Sequence, residues 1–169
     1  MGEMGFDFSK PIPPILQEKL FSAQLEVARS LPIVLHVRGH VTDTDGETVY
    51  NHCRNFLRNK VETNQAIQLH SFSGSEAQVV LWEQDFPYTY FSISGLVKWF
   101  TKSQIKGLKR IPLGKLLFET DSPYLSPSGG LNTPSRLREI IHIVSDIRGE
   151  SFNELCIANR RNSKIMFNL

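Results

Sequence analysis

The stretch "PIVLHVR", residues 32–38, sets three branched apolar side chains in a row and then closes on a histidine and an arginine. A half-exposed strand alternates apolar with polar residues. A continuous run such as this one reads instead as a strand buried on both faces, the pattern of parallel sheets. Its polar side chains arrive only where the strand should end. The same order recurs in "AIQLHSF" at 66–72, "YTYFSIS" at 88–94 and "KLLFETD" at 115–121, and "GEMGFD" at 2–7 makes a fifth run.

Helical patterns lie between these runs. In 14–31, Leu16, Leu20, Ala23, Val27 and Leu31 repeat at three- and four-residue steps, flanked by Phe21, Leu25 and Ala28, which predicts one broad buried stripe. Segments 46–60 and 75–86 carry similar patterns. Thr101 with Gln104 and Ser151 with Glu154 fit capping boxes. Thr133–Pro134 reads as a helix start, and Gly149 as the stop of a helix through 148.

Strands alternating with helices predict an α/β protein whose parallel sheet is covered by helices. A doubly wound open sheet and a (β/α) barrel both meet that description, and periodicity does not separate them. The 169 residues, 40% apolar, suit a single domain with a real core. Basic and acidic residues number 19 and 17, so charge alone does not argue for nucleic acid or an anionic membrane. No apolar run is long enough to span a bilayer, and no charged-then-apolar signal segment precedes Glu3. Cys53 and Cys156 lack metal-like spacing and read as buried free thiols of a reducing, intracellular compartment, cytoplasmic or nuclear.

The strand ends carry the chemistry. Side chains two apart share a face of a strand, so His36 is expected beside Arg38, and Asp121 beside Glu119. In parallel α/β proteins the C-terminal strand ends form one rim where catalytic groups collect. His36, His70 and Asp121 at equivalent ends of three strands therefore suit a divalent metal, through neutral imidazole nitrogens and carboxylate oxygens. His40, His52 and His142 lack that placement and fit core or surface roles. "HSFSGS" at 70–75 lacks a G-x-S-x-G elbow, and Gly74 and Gly95 form no Gly-rich phosphate fingerprint.

Taken together, "GEMGFD", "PIVLHVR", "LHSFSGS" and "LLFETDSPYLSP" resemble, in that order, the signature segments of the TatD family of metal-dependent deoxyribonucleases. "NRRNSKIMF" resembles that family's C-terminal end, so the likeness runs the length of the chain. The resemblance implies a (β/α)8 barrel that hydrolyses DNA phosphodiester bonds with two divalent ions; magnesium, manganese and zinc all fit. It implies Glu3 as the carboxylate bridging the metals, His36 and His70 as ligands of the second, and Asp121 as a ligand that orients or deprotonates the attacking water. Arg38 and Glu119 would stand behind them, Arg38 towards a substrate phosphate. Related barrels cut amides or other esters, which leaves the bond type open.

The family pattern opens with a His-x-His strand and two further strand–helix units ahead of the glutamate segment, and this sequence starts at that segment. The expectation is therefore a partial barrel of about five strands, equivalent to strands 4–8, with impaired activity. It would need a missing N-terminal segment or a partner chain to cover its open edges. The alternative is a non-catalytic remnant acting as a binding or interaction module.

Overall fold

The computed structural model describes every residue except Ser30, which falls inside the helical segment expected at 14–31. Five strands form one sheet: β1 Met4–Asp7, β2 Ile33–Arg38, β3 Ile67–His70, β4 Thr89–Ile93 and β5 Leu116–Phe118. All four pairings are parallel, and the spatial order β1-β2-β3-β4-β5 is the chain order. A doubly wound sheet reverses direction at a switch point; this one never does. The strands and their helices thus form a continuous arc of β/α units, the barrel-type alternative.

The helices are α1 Pro14–Ala28, α2 Glu47–Leu57, α3 Glu76–Asp85, α4 Lys102–Arg110, α5 Leu137–Arg148 and α6 Phe152–Phe167. Their ends follow from local chemistry. Both capping boxes form, Thr101 with Gln104 and Ser151 with Glu154, and Gly149 closes α5 at φ 85°. Thr133 and Pro134 open a short 3-10 turn that leads into α5. Between α2 and α3, Asp85 takes Arg58 at 2.8 and 3.1 Å and also pairs with the buried Arg54.

Alternation sorts each strand into two faces. Met4, Phe6, Ile33, Leu35, Ile67, Leu69, Phe91, Ile93, Leu116 and Phe118 point towards the helices and join Phe21, Leu57, Trp82, Ile140 and Leu155 in one core. Each such side chain taken out of water contributes about 1.5–3 kcal/mol. Tyr90 and Leu117 pack on the other face with Met166 of α6. Polar groups dominate the rest of that face.

Three expectations are corrected. β3–β5 are buried on both faces or nearly so, but β1 and β2 alternate between buried and half-buried side chains. β5 ends at Phe118, so Glu119 and Asp121 follow the strand instead of lying within it. The stripe assigned to the core of α1 faces outward: Leu16, Leu20, Ala23, Val27 and Leu31 are exposed, Leu20 at 63% and Val27 at 70%. The flanking trio Phe21, Leu25 and Ala28 is the buried face. A period places residues on faces but does not say which apolar face has a neighbour. Among the described residues β1 and β5 each pair on one side only, so the exposed stripe lies beside an open sheet edge.

Candidate metal centre

The face opposite the helix-covered core carries Glu3, Gly5 and Asp7, then His36 and Arg38, then Gln68 and His70, then Ser92, and finally Glu119. Register brings them level. Gly5 pairs with His36, and His36 pairs with His70 in the next strand. Gly5 stands at φ +142°, and a Cβ there would meet the His36 carbonyl oxygen at 2.2 Å. Only glycine permits this approach of β1 to β2.

At the rim, Glu3 lies between the two imidazoles: Oε2 is 3.7 Å from His36 Nδ1, and Oε1 is 3.7 Å from His70 Nε2. Asp121 Oδ1 faces the same His70 Nε2 at 3.6 Å. The His36 and His70 rings stack at 5.9 Å. These separations are too long for hydrogen bonds. They are close to the spacing of about 3.0–3.4 Å between ligands that share one ion at the usual 2.0–2.2 Å bond lengths. One ligand atom from each of Glu3, His36 and His70 falls within 4.8 Å of the others. The donor set therefore fits a divalent cation.

The surroundings favour the neutral, ligand form at His36 and the protonated form at His70 and Asp121. Burial, with Arg38 and His70 adding to it, outweighs the Glu3 and Asp7 carboxylates and lowers the His36 pKa. A neutral ring is what a metal needs. Burial also opposes charge on His70, but the Glu119 carboxylate at 2.8 Å from Nδ1, with Glu3 and Asp121 behind it, raises its pKa. Asp121 is raised by burial and by the Glu119 and Glu3 carboxylates, against the pull of His70. Its backbone, three residues past β5, stands at φ 55°, a left-handed position uncommon for a residue with a side chain.

Of the six residues singled out from sequence, Glu3 precedes β1, His36 and Arg38 lie in β2, His70 ends β3, and Glu119 and Asp121 follow β5. Glu3, His36 and His70 cluster together, Asp121 joins them through His70, and Glu119 stands behind His70. Arg38 is half-exposed and reaches Asp7 at 3.7 Å, beside a cleft of about 280 Å³ lined by His36, Arg38, His40, His70, Ser71 and Asp121. His40 is exposed and lines that cleft, His52 packs edge-on against Phe6 and contacts Glu18 at 3.1 Å, and His142 stacks on Phe152. Cys53 is buried and Cys156 half-buried, both as free thiols.

Sequence reasoning missed Asp7, Gln68 and Ser92. Burial opposes ionisation of Asp7, but two hydrogen bonds from Ser9 and the Arg38 and His36 charges prevail and lower its pKa. Asp7 Oδ2 is 3.9 Å from His36 Nε2. Gln68 could have been found by stepping back two residues from His70 along its face. Nothing local marks Ser92.

A singly wound β/α arc with imidazole and carboxylate donors at its strand ends defines the class, a β/α protein of the metal-centred barrel type. The chain belongs to the family of TatD-related DNases, whose model matches residues 1–168. It is 29% identical over 177 residues to the uncharacterized metal-dependent hydrolase YcfH of Escherichia coli K12, covering 100% of this chain and 62% of that protein. A second relative, the 3'-5' ssDNA/RNA exonuclease TatD of Pectobacterium carotovorum, is 29% identical over 185 residues, covering 100% of this chain and 65% of its own. Among solved structures, the TatD homologue YJJV of Escherichia coli K12 superposes with a TM-score of 0.78 at 25% identity, over 99% of this chain and 63% of that one. The chain thus spans less than two thirds of the length of these proteins. No described helix is long and apolar enough to cross a membrane.

Proposed function

We propose that this chain carries the metal-binding rim of a nuclease that hydrolyses phosphodiester bonds in nucleic acid. The observation that supports this most is that Glu3 stands 3.7 Å from both His36 and His70, with Asp121 3.6 Å from His70. The exonuclease named among its relatives supports the substrate class. A divalent cation held by these donors supplies Lewis acidity and an acidified water. Glu3, with one oxygen towards each imidazole, would hold the cation together with His36 and His70. Asp121, its pKa raised, takes the proton of the attacking water as general base. Arg38, at the mouth of the cleft, binds a non-bridging phosphate oxygen and orients the scissile bond.

The test is cation content of the purified chain together with cleavage of single- and double-stranded DNA and of RNA in manganese, magnesium or zinc. Bound cation, and a rate that falls at least about 100-fold in Asp121→Asn with unchanged circular dichroism, are expected. Absence of bound cation, or a rate untouched by that substitution, would refute the proposal.

The exposed stripe of α1 favours a second reading, in which the chain acts with a partner or a further segment that covers α1 and the open β1 edge. Sedimentation velocity separates the two. A monodisperse monomer that binds cation and cleaves DNA unaided removes the second reading.

A further inference from the structure

Four donors converge on the two oxygens of Glu119. The Ser71 N–H, at 2.6 Å, and His70 Nδ1, at 2.8 Å, reach Oε1. Gln68 Nε2, at 2.9 Å, and Ser92 Oγ, at 2.6 Å, reach Oε2. An ionised carboxylate offers about four acceptor positions and no donor, so the group is saturated. His70 Nδ1 must therefore carry the proton in its contact with Glu119. The other ring nitrogen, Nε2, is left with a lone pair facing Glu3 and Asp121.

The cradle is built from three strands. Gln68 stands two residues before His70 on β3, Ser92 lies on β4, and Glu119 follows β5. Ser92 is fully buried and Gln68 is 8% exposed. Both lie on the face where Tyr90 and Leu117 show that apolar side chains are accommodated. At this depth an unpartnered hydroxyl or amide is costly, and each of these two donates to Glu119. Without them Oε2 would be a buried carboxylate oxygen with no partner, and the carboxylate would be free to turn away from His70. Ser71 completes the set: it leaves β3 at φ 47°, and its N–H reaches Oε1.

We propose that Ser92 and Gln68 are positioning residues for the rim: they lock the Glu119 carboxylate so that it holds the His70 proton at Nδ1 and keeps Nε2 bare for a cation. The last step rests on the cation reading of His70; the locking of the proton does not. Outer partners of metal-bound histidines commonly contribute about 10–100-fold in affinity.

The experiment uses the full chain, labelled with ¹⁵N-histidine, free of metal and at a pH where the His70 ring is neutral. Long-range ¹H–¹⁵N spectra report which nitrogen bears the proton, and calorimetry with manganese(II) alone reports affinity. Wild type is expected to show His70 wholly as the Nδ1–H form. The double variant Ser92→Ala/Gln68→Leu is expected to populate the Nε2–H form and to bind manganese(II) about 10-fold more weakly. A merely structural role would lower the unfolding midpoint and leave the tautomer unmoved. A folded double variant whose His70 stays wholly Nδ1–H overturns the proposal. If the double variant does not fold, Ser92→Ala alone is read by the same criterion. A wild-type chain that takes up no manganese(II), while the tautomer still shifts in the variant, supports the positioning role and removes the cation reading.

Discussion

Gly5→Ala tests whether the rim depends on the close approach of β1 to β2. Gly5 occupies φ +142°, a region that L-residues enter at a cost of about 1–3 kcal/mol. The added Cβ would also lie 2.2 Å from the His36 carbonyl oxygen and 3.1 Å from its carbon. A close-packed backbone has no room for that. β1 is an edge strand, so moving it away from β2 is the cheapest relief. That movement carries Glu3 away from His36, now 3.7 Å distant. With a urea m-value of roughly 1–3 kcal/mol per M, the strain alone shifts the midpoint down by about 1 M. Manganese(II) affinity should fall with it. Gly114→Ala is the control: nothing lies within 4 Å of its Cβ, and stability should stay level or rise by about 0.4–1 kcal/mol. A Gly5→Ala protein with wild-type midpoint and wild-type affinity would refute the reasoning.

Asp85→Asn should cost about 2–3 kcal/mol at pH 7, below the 3–5 kcal/mol of a fully buried broken pair because Arg58 is half-exposed. Burial opposes charge on Asp85, yet Arg58 and Arg54 prevail and lower its pKa below 3.8. Its contribution is thus complete above about pH 3.8 and is lost as pH falls through the depressed value, so urea midpoints of wild type and variant should converge in strong acid. Asn162, 1% exposed, donates Nδ2 to the Leu113 and Leu116 carbonyls at 2.9 and 2.8 Å; Asn162→Ala should cost about 2–3 kcal/mol in thermal unfolding. Phe21→Ala should cost about 3–5 kcal/mol, while Leu20→Lys, one residue away on the exposed face, should stay within about 0.5 kcal/mol and reduce any self-association seen by light scattering.

Much of this molecule was legible in one dimension. Strand existence followed from continuous apolar runs, and the helix ends at Thr101, Gly149 and Ser151 followed from local capping chemistry. His36, His70 and Asp121 stood out as polar groups closing apolar runs, whereas Glu3 was marked only by the likeness of its segment to the family. Each of these signals lies within a few residues of its cause. Tertiary structure decided what depends on neighbours far along the chain. Chain-order pairing, which rejects the doubly wound sheet, is a relation among five strands. The face of α1 that is buried depends on what stands beside it, so Leu20 and Val27 are bare while Phe21 and Leu25 are covered. Ser92 acquires meaning only through Glu119, 27 residues on, because a hydrogen bond across strands leaves no periodic trace in either strand. A local pattern can place a side chain on a face; what that face meets is set by chain that no local pattern contains.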